Sequence, residues 1–138
     1  MSTDNYQRGL KKMMEYAAPG DPNVLTHSKI TEDLKDIAPD VSRYMVEFAF
    51  GEIYTRPGLT KREQALVTIA SLTTLGTEPE IELHIHTGLT AGLSKDEIVA
   101  AIIHLIPYIG FPRVLNALYI VKKVVAQRAA TNPEGAHA

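Results

Sequence analysis

Thr77-Glu78-Pro79-Glu80-Ile81-Glu82-Leu83-His84 is the stretch on which the fold turns. Proline is tolerated in the first turn of a helix, where its missing N–H has no partner to lose, so a helix should begin at Thr77 or Glu78. Gly92 then stands where glycine commonly closes a helix. On that helix Glu80 and His84 are four residues apart and project from one face, about one turn from each other. A carboxyl group and an imidazole held side by side can share a proton and set each other's pKa. They also supply the donor and acceptor of acid–base chemistry at neutral pH. The same pair is equally an ordinary i,i+4 surface pair, worth about 0.2–0.5 kcal/mol. His84-Ile85-His86 would converge on a metal if the segment were a strand. On a helix the two rings diverge by about 200°, which turns His86 away from the pair and removes the shared ion. No metal site is expected.

The segments on either side also read as helix. A first helix is expected over about 4–17, opened by Asp4 and broken by Ala18-Pro19-Gly20-Asp21-Pro22. Residues 23–38 look irregular, with a helical turn near Thr31–Ile37. A second helix starting near Pro39 carries Val41, Tyr44, Met45, Phe48 and Ile53 at the three-to-four spacing of a buried stripe. Thr60 with Glu63, and Ser94 with Glu97, form capping-box patterns that open two more helices. The first of these, through Ala65–Leu72, is apolar or small nearly all round and should be central and buried. The second is apolar over Ile98–Ile106 but for His104, and Pro107 must end or kink it. A last helix at about 112–129 sets Val114, Ala117, Leu118, Val121 and Val124 on one face, and the tail after about 130 should fray. The expected fold is all-α: one domain over 1–138, a bundle of six or seven helices.

Composition narrows the chemistry. The 138 residues contain no cysteine, which removes disulfides, thiolate nucleophiles and cysteine–zinc sites. A formal net charge of −2 offers no basic footprint for nucleic acid. No apolar run approaches the roughly 18 residues of a membrane span. The polar, acidic start Met1-Ser2-Thr3-Asp4 is unlike a signal peptide, so the expected location is the cytoplasm. Gly76, Gly88 and Gly92 lack the strand–turn–helix setting of a phosphate loop. The helices near 60–76, 97–106 and 112–125 carry more apolar surface than one chain of this size needs to hide, which points to subunit contacts. Three further residues are candidates for binding substrate. Arg56 either anchors an anion or braces the Pro57-Gly58 turn. His104 is a pocket residue or a hydrogen-bonded core histidine, and Tyr108 follows it on the same side.

Taken in order, these pieces resemble the carboxymuconolactone decarboxylase family. The resemblance runs through about residues 6–121: Tyr6…Arg8-Gly9-Leu10, Ala38-Pro39-Asp40, Phe50-Gly51-Glu52, Arg56-Pro57-Gly58-Leu59 and Leu66-Val67-Thr68-Ile69-Ala70. It continues through Gly76…Glu80…His84, Gly92-Leu93-Ser94…Glu97-Ile98 and His104…Tyr108-Ile109-Gly110-Phe111-Pro112. It implies an all-helical, alkylhydroperoxidase-D-like fold assembled as trimers or hexamers. The redox members of that superfamily use a Cys-x-x-Cys-x-x-x-His motif, and aligned on the histidine this chain has Thr77, Glu80 and His84, with Ala65 in place of their relay glutamate. The resemblance is therefore to the cysteine-free branch, which uses no cofactor. Pro107 and the segment 18–30 depart from the family pattern.

The reaction so implied removes carbon dioxide from 4-carboxymuconolactone to give 3-oxoadipate enol-lactone, in aromatic catabolism through the beta-ketoadipate pathway. Its electrons flow into a conjugated lactone carbonyl, so the protein must desolvate the leaving carboxylate, stabilise an oxyanion and deliver one proton. Glu80 and His84 are the implied catalytic pair, with two assignments open. In one, His84 donates the proton or hydrogen-bonds the oxyanion, while Glu80 fixes its tautomer and raises its pKa. In the other, Glu80 is the donor, kept neutral by burial. Arg56 would grip the substrate's acetate carboxylate, and His104 and Tyr108 would line the pocket. The partner implied is a small-molecule carboxylate or lactone. A related lactone or 3-oxo-acid decarboxylase or isomerase, and a non-catalytic oligomeric binding protein, fit the same residues.

Overall fold

Two capping boxes punctuate the chain where the Thr60/Glu63 and Ser94/Glu97 spacing predicts them. The Thr60 hydroxyl accepts from the Glu63 N–H at 3.2 Å and the Glu63 carboxylate accepts from the Thr60 N–H at 2.8 Å. Ser94 and Glu97 repeat the exchange at 3.0 and 2.9 Å. Each box satisfies two helix-end donors that would otherwise go unpaired. In a computed structural model that describes residues 3–17 and 25–131, these boxes open two of eight helical segments, and no strand occurs among the described residues. The segments are α1 (Thr3–Met14), α2 (His27–Leu34), α3 (residues 40–53), α4 (Lys61–Leu75), α5 (Glu78–Thr90), α6 (Lys95–His104), the single turn α7 (Ile106–Ile109) and α8 (Phe111–Thr131).

The core lies where α4, α5, α6 and α8 meet. Ile69, Ile81, Ile85, Ile98, Ile102, Val114, Ala117, Val121 and Val124 are all at most 3% exposed. Each fully buried aliphatic side chain there contributes roughly 1.5–3 kcal/mol. Leu118 packs on this cluster from its edge, so α8 presents the face expected of it.

Against this core, α1 and α3 form a second, closely crossed pair. α3 starts as an α-helix over Asp40–Arg43 and continues as a π-helix over Tyr44–Ile53, closing with the Tyr54 N–H on the Ala49 carbonyl at 2.9 Å. The i→i+5 winding is rare and is frequently found at functional sites. A β-carbon on Gly9 would lie 1.8 Å from the Val46 carbonyl oxygen, and one on Gly51 would lie 2.6 Å from that of Asn5. Backbone therefore meets backbone at this crossing, which only glycine allows.

Five expectations need amending. The stripe expected of α3 is not the buried one: Tyr44, Phe48 and Ile53 are more than half exposed, and Val46, Phe50 and Gly51 are buried instead, on a register set by π-helical winding rather than by the three-to-four spacing. α4 is not buried all round: Ala65, Ile69 and Thr73 face the core, while Val67 and Leu75 are 58% and 63% exposed. Among the described residues, only one side of α4 has helices to pack on. The helical turn expected at 31–37 is a two-turn helix starting earlier, because the Thr26 hydroxyl caps it by accepting from the Lys29 N–H at 3.0 Å. α1 stops at Met14, with the chain turning through Glu15 and Tyr16, and the Pro/Gly cluster at 18–22 lies outside the described residues. α8 continues to Thr131, and the tail expected to fray lies beyond the described residues from 132 onward. Pro107 behaves as its chemistry demands: α6 ends at His104 and the proline enters the first turn of α7.

Candidate functional site

α5 begins at Glu78 with Pro79 in its first turn, and its helical register brings Glu80 and His84 to one face. The Glu80 Oε2 and His84 Nε2 atoms are 3.7 Å apart. This is too long for a hydrogen bond but short enough for direct electrostatic contact. One turn on, the Thr87 hydroxyl donates to the His84 carbonyl at 3.1 Å and lies 3.4 Å from His84 Nδ1. The imidazole is thus buried, with Nδ1 toward Thr87 and Nε2 toward Glu80.

An aromatic layer from the other half of the molecule covers the ring. His27, the first residue of α2, packs edge-on against His84 with ring centroids 5.1 Å apart, and edge-on against Phe50 at 4.9 Å. Phe50 stacks on Tyr54 at 4.5 Å, and Tyr16 packs edge-on against Tyr54 at 5.2 Å. Gln64 locks the layer to α4. Its side-chain oxygen accepts from the Tyr16 hydroxyl at 2.6 Å, and its amide donates to the Tyr54 carbonyl at 3.0 Å. The Tyr54 hydroxyl bonds to Thr68 and lies within the field of Glu80. Tyr16, Thr26, His27, Leu83, His86 and Thr87 also border a small cavity of about 20 Å³, room for a single water.

Burial decides the ionisation of this site. His84 is lowered to about 4, first by desolvation and then by repulsion from His27, and desolvation lowers His27 to about 4 as well. Both imidazoles are neutral at pH 7. The expectation that Glu80 raises the His84 pKa is therefore reversed, because the cost of burying an imidazolium outweighs a carboxylate 3.7 Å away whose own side chain is 45% exposed. The burial expected of Glu80 is therefore absent. Desolvation raises Tyr16 and Tyr54, so both phenols stay protonated.

The three remaining candidates are not brought to this pair. Arg56 is exposed and donates from Nη1 to the Pro57 carbonyl at 3.1 Å, bracing the turn. His104 and Tyr108 lie side by side, ring centroids 5.8 Å apart, and both are exposed. No hydrogen bond, ion pair or ring contact among the described residues joins any of the three to Glu80 or His84. His86 points the opposite way from His84, as helix geometry requires, and its Nε2 lies 3.0 Å from the Gln127 side-chain oxygen on α8. No group of three or more His, Asp or Glu residues that could hold a metal ion occurs among the described residues. No described helix is long and apolar enough to cross a membrane.

Sequence reasoning missed His27, Tyr54, Thr68 and Thr87. Thr87 was within reach, being three residues beyond His84 on a helix already assigned. Tyr54 follows the Phe50-Gly51-Glu52 motif by two residues, and its inward side is fixed by a π-helical register that no apolar period announces. Nothing in the sequence links His27 to His84.

A model of the carboxymuconolactone decarboxylase family matches residues 39–123. The chain is 34% identical over 119 residues to a 4-carboxymuconolactone decarboxylase of Acinetobacter baylyi (strain ATCC 33305 / BD413 / ADP1), covering 86% of this chain and 85% of that protein. It is 29% identical over 131 residues to an uncharacterized 15.0 kDa protein from the nqo9-nqo10 intergenic region of Paracoccus denitrificans, covering 91% and 96%. It is also 29% identical over 83 residues to a nitrosuccinic acid decarboxylase of Metarhizium robertsii (strain ARSEF 23 / ATCC MYA-3075), covering 59% of this chain and 57% of that protein.

Proposed function

The chain belongs to the carboxymuconolactone decarboxylase family, and from that premise we propose that it is a decarboxylase working without cofactor on a small, activated carboxylate, with 4-carboxymuconolactone as first candidate. The observation that carries the reading is the His84–Glu80 gap. A buried, neutral imidazole and a half-exposed carboxylate face each other across 3.7 Å with no hydrogen bond between them.

In this reaction the bond to the leaving carboxylate breaks heterolytically. Its electron pair enters the conjugated system and places negative charge on the carbonyl oxygen as carbon dioxide departs. A neutral imidazole suits the oxyanion: in the tautomer that carries the proton on Nε2, the N–H points toward Glu80 and can hydrogen-bond developing charge without first giving up its proton. Glu80, in contact with solvent, then relays the one proton that carbon needs. The Phe50–Tyr54 stack and Tyr16 form the dry wall against which the carboxylate loses its hydration. Arg56, His104 and Tyr108 enter this proposal only as residues at the mouth of an assembled site. The same proposal includes a homo-oligomer of three or six chains. Phe48, Val67, Leu75 and Tyr119 are all more than half exposed in the isolated chain, and a second copy would cover such surfaces.

The test is to incubate purified protein with 4-carboxymuconolactone and follow carbon dioxide release with and without a chelator. Release at an unchanged rate under chelation is expected, and no release above the spontaneous rate would reject the assignment. The likeness to the nitrosuccinic acid decarboxylase supports a second reading, in which another electron-withdrawing group activates the carboxylate. A panel that includes nitrosuccinate separates the two.

A further inference from the structure

His27 has no role in the mechanism above, yet it makes the closest ring contact with His84 from outside α5. It comes from α2, a two-turn helix with no buried residue of its own, and it precedes the residues that the family model matches. Its imidazole is fixed on both sides, edge-on to Phe50 at 4.9 Å and to His84 at 5.1 Å. Its ring nitrogens make no hydrogen bond with any described residue, and Nε2 of His84 makes none either, since Glu80 is 3.7 Å away. Two adjacent, largely desolvated imidazoles therefore leave ring nitrogens, those of His27 and Nε2 of His84, that no described residue hydrogen-bonds.

We propose that His27 is a substrate-contacting specificity residue added to the family site by α2, and that it and His84 together bind one carboxylate of a dicarboxylate substrate. The inference rests on the decarboxylase reading for the identity of the substrate. A carboxylate is acceptor-only and has two oxygens, so it can take one N–H from each ring. Hydrogen bonds to an ionised acceptor are the stronger kind, and stronger still where water is excluded. The edge-on packing against Phe50 orders His27 in advance, so little rotamer freedom is lost on binding. Among the described residues the ionisable group facing the ring pair is Glu80 on α5, and Tyr54, directly after α3, lies within the field of that carboxylate. Glu80, 3.7 Å from His84 Nε2, repels a second carboxylate, which favours the His27 side for the anion.

The experiment compares wild type with His27→Phe and His27→Asn. Phenylalanine keeps the edge-on packing but has no nitrogen, whereas asparagine restores an N–H donor. Calorimetric titration with succinate, an inert dicarboxylate, should show binding to wild type, at least tenfold weaker binding to His27→Phe and partial recovery in His27→Asn. In parallel, KM for 4-carboxymuconolactone should rise about tenfold in His27→Phe with kcat within about threefold, at an unchanged melting temperature. Succinate affinity or KM unaltered by His27→Phe would overturn the proposal, as would a wild type that binds no succinate. The two readings fail separately. Succinate binding that depends on His27 in a protein inert toward the lactone leaves this site standing and removes the reaction. Full turnover that is indifferent to His27 does the reverse.

Discussion

His84 and His86 are two residues apart on one helix and have opposite surroundings. His86 is 1% exposed and tied to α8: its Nε2 lies 3.0 Å from the Gln127 oxygen, the Gln127 amide donates to Glu82 at 3.2 Å, and Glu82 pairs with Lys123 at 3.0 Å. His84 is about as deeply placed, at 9% exposed, but its Nε2 faces a carboxylate that stays 3.7 Å away. One ring spends its polarity on holding two helices together, and the other keeps it in reserve. The same residue type on the same helix is thus structural on one face and available for chemistry on the other.

The contrast breaks down first if His84 proves dispensable. His84→Ala and Glu80→Gln should each lower turnover of the lactone by about 10²–10⁴-fold with the helical circular dichroism intact. The double variant should be little worse than the poorer single one, since residues acting as a unit are non-additive. Unchanged turnover in both single variants would end the mechanism.

His86→Ala probes the other face. Turnover per folded molecule should stay within about twofold, while urea denaturation should show a loss of about 1–3 kcal/mol, the cost of leaving a buried hydrogen-bonding partner unsatisfied. A loss of turnover matching that of His84→Ala would mean that the two faces are not distinct.

Acid sharpens the comparison further. His84 and His27 stand at about 4 in the folded protein against 6.5 when free. Between those values the unfolded chain binds protons that the folded one refuses. The stability these groups contribute is therefore fully present above about pH 6.5 and is lost as pH falls toward 4. Melting temperatures measured across that window should fall less steeply in His84→Phe and His27→Phe than in wild type. Identical acid limbs would show that the two rings are not desolvated as described.

The smallest effects belong to the exposed candidates. Tyr108→Phe and Arg56→Ala should shift the melting temperature by no more than about 1–2 °C, because surface changes of this kind are usually within about 0.5 kcal/mol. A larger shift that depends on protein concentration would instead reveal a subunit contact at that residue.

How much the sequence disclosed follows from the range of the forces involved. Helix boundaries set by local chemistry were legible: Thr60, Ser94, Pro79, Gly92 and Pro107 each act within a turn of themselves. The Glu80/His84 face was legible for the same reason, since helical register is local. The ionisation of His84 was not. It depends on desolvation and on His27, packed edge-on against the ring from α2 and in turn against Phe50 of α3, and burial of this kind leaves no mark on the residue it affects. α4 was misjudged because composition shows which residues tolerate burial but not which neighbours are present to bury them.

The glycine crossing of α1 and α3 has a mechanical consequence. Where two backbones touch, their spacing cannot be adjusted by side-chain rotation, so the crossing acts as a fulcrum. Tyr16 lies in the turn just past the end of α1, seven residues beyond Gly9, and its ring closes the aromatic layer against Phe50 and Tyr54. One methyl group at Gly51, against the Asn5 carbonyl, would lever α1 outward and carry the displacement to Tyr16. Substrate selectivity could thus be retuned from a position that touches no substrate, by changing the angle of a helix rather than the lining of the site.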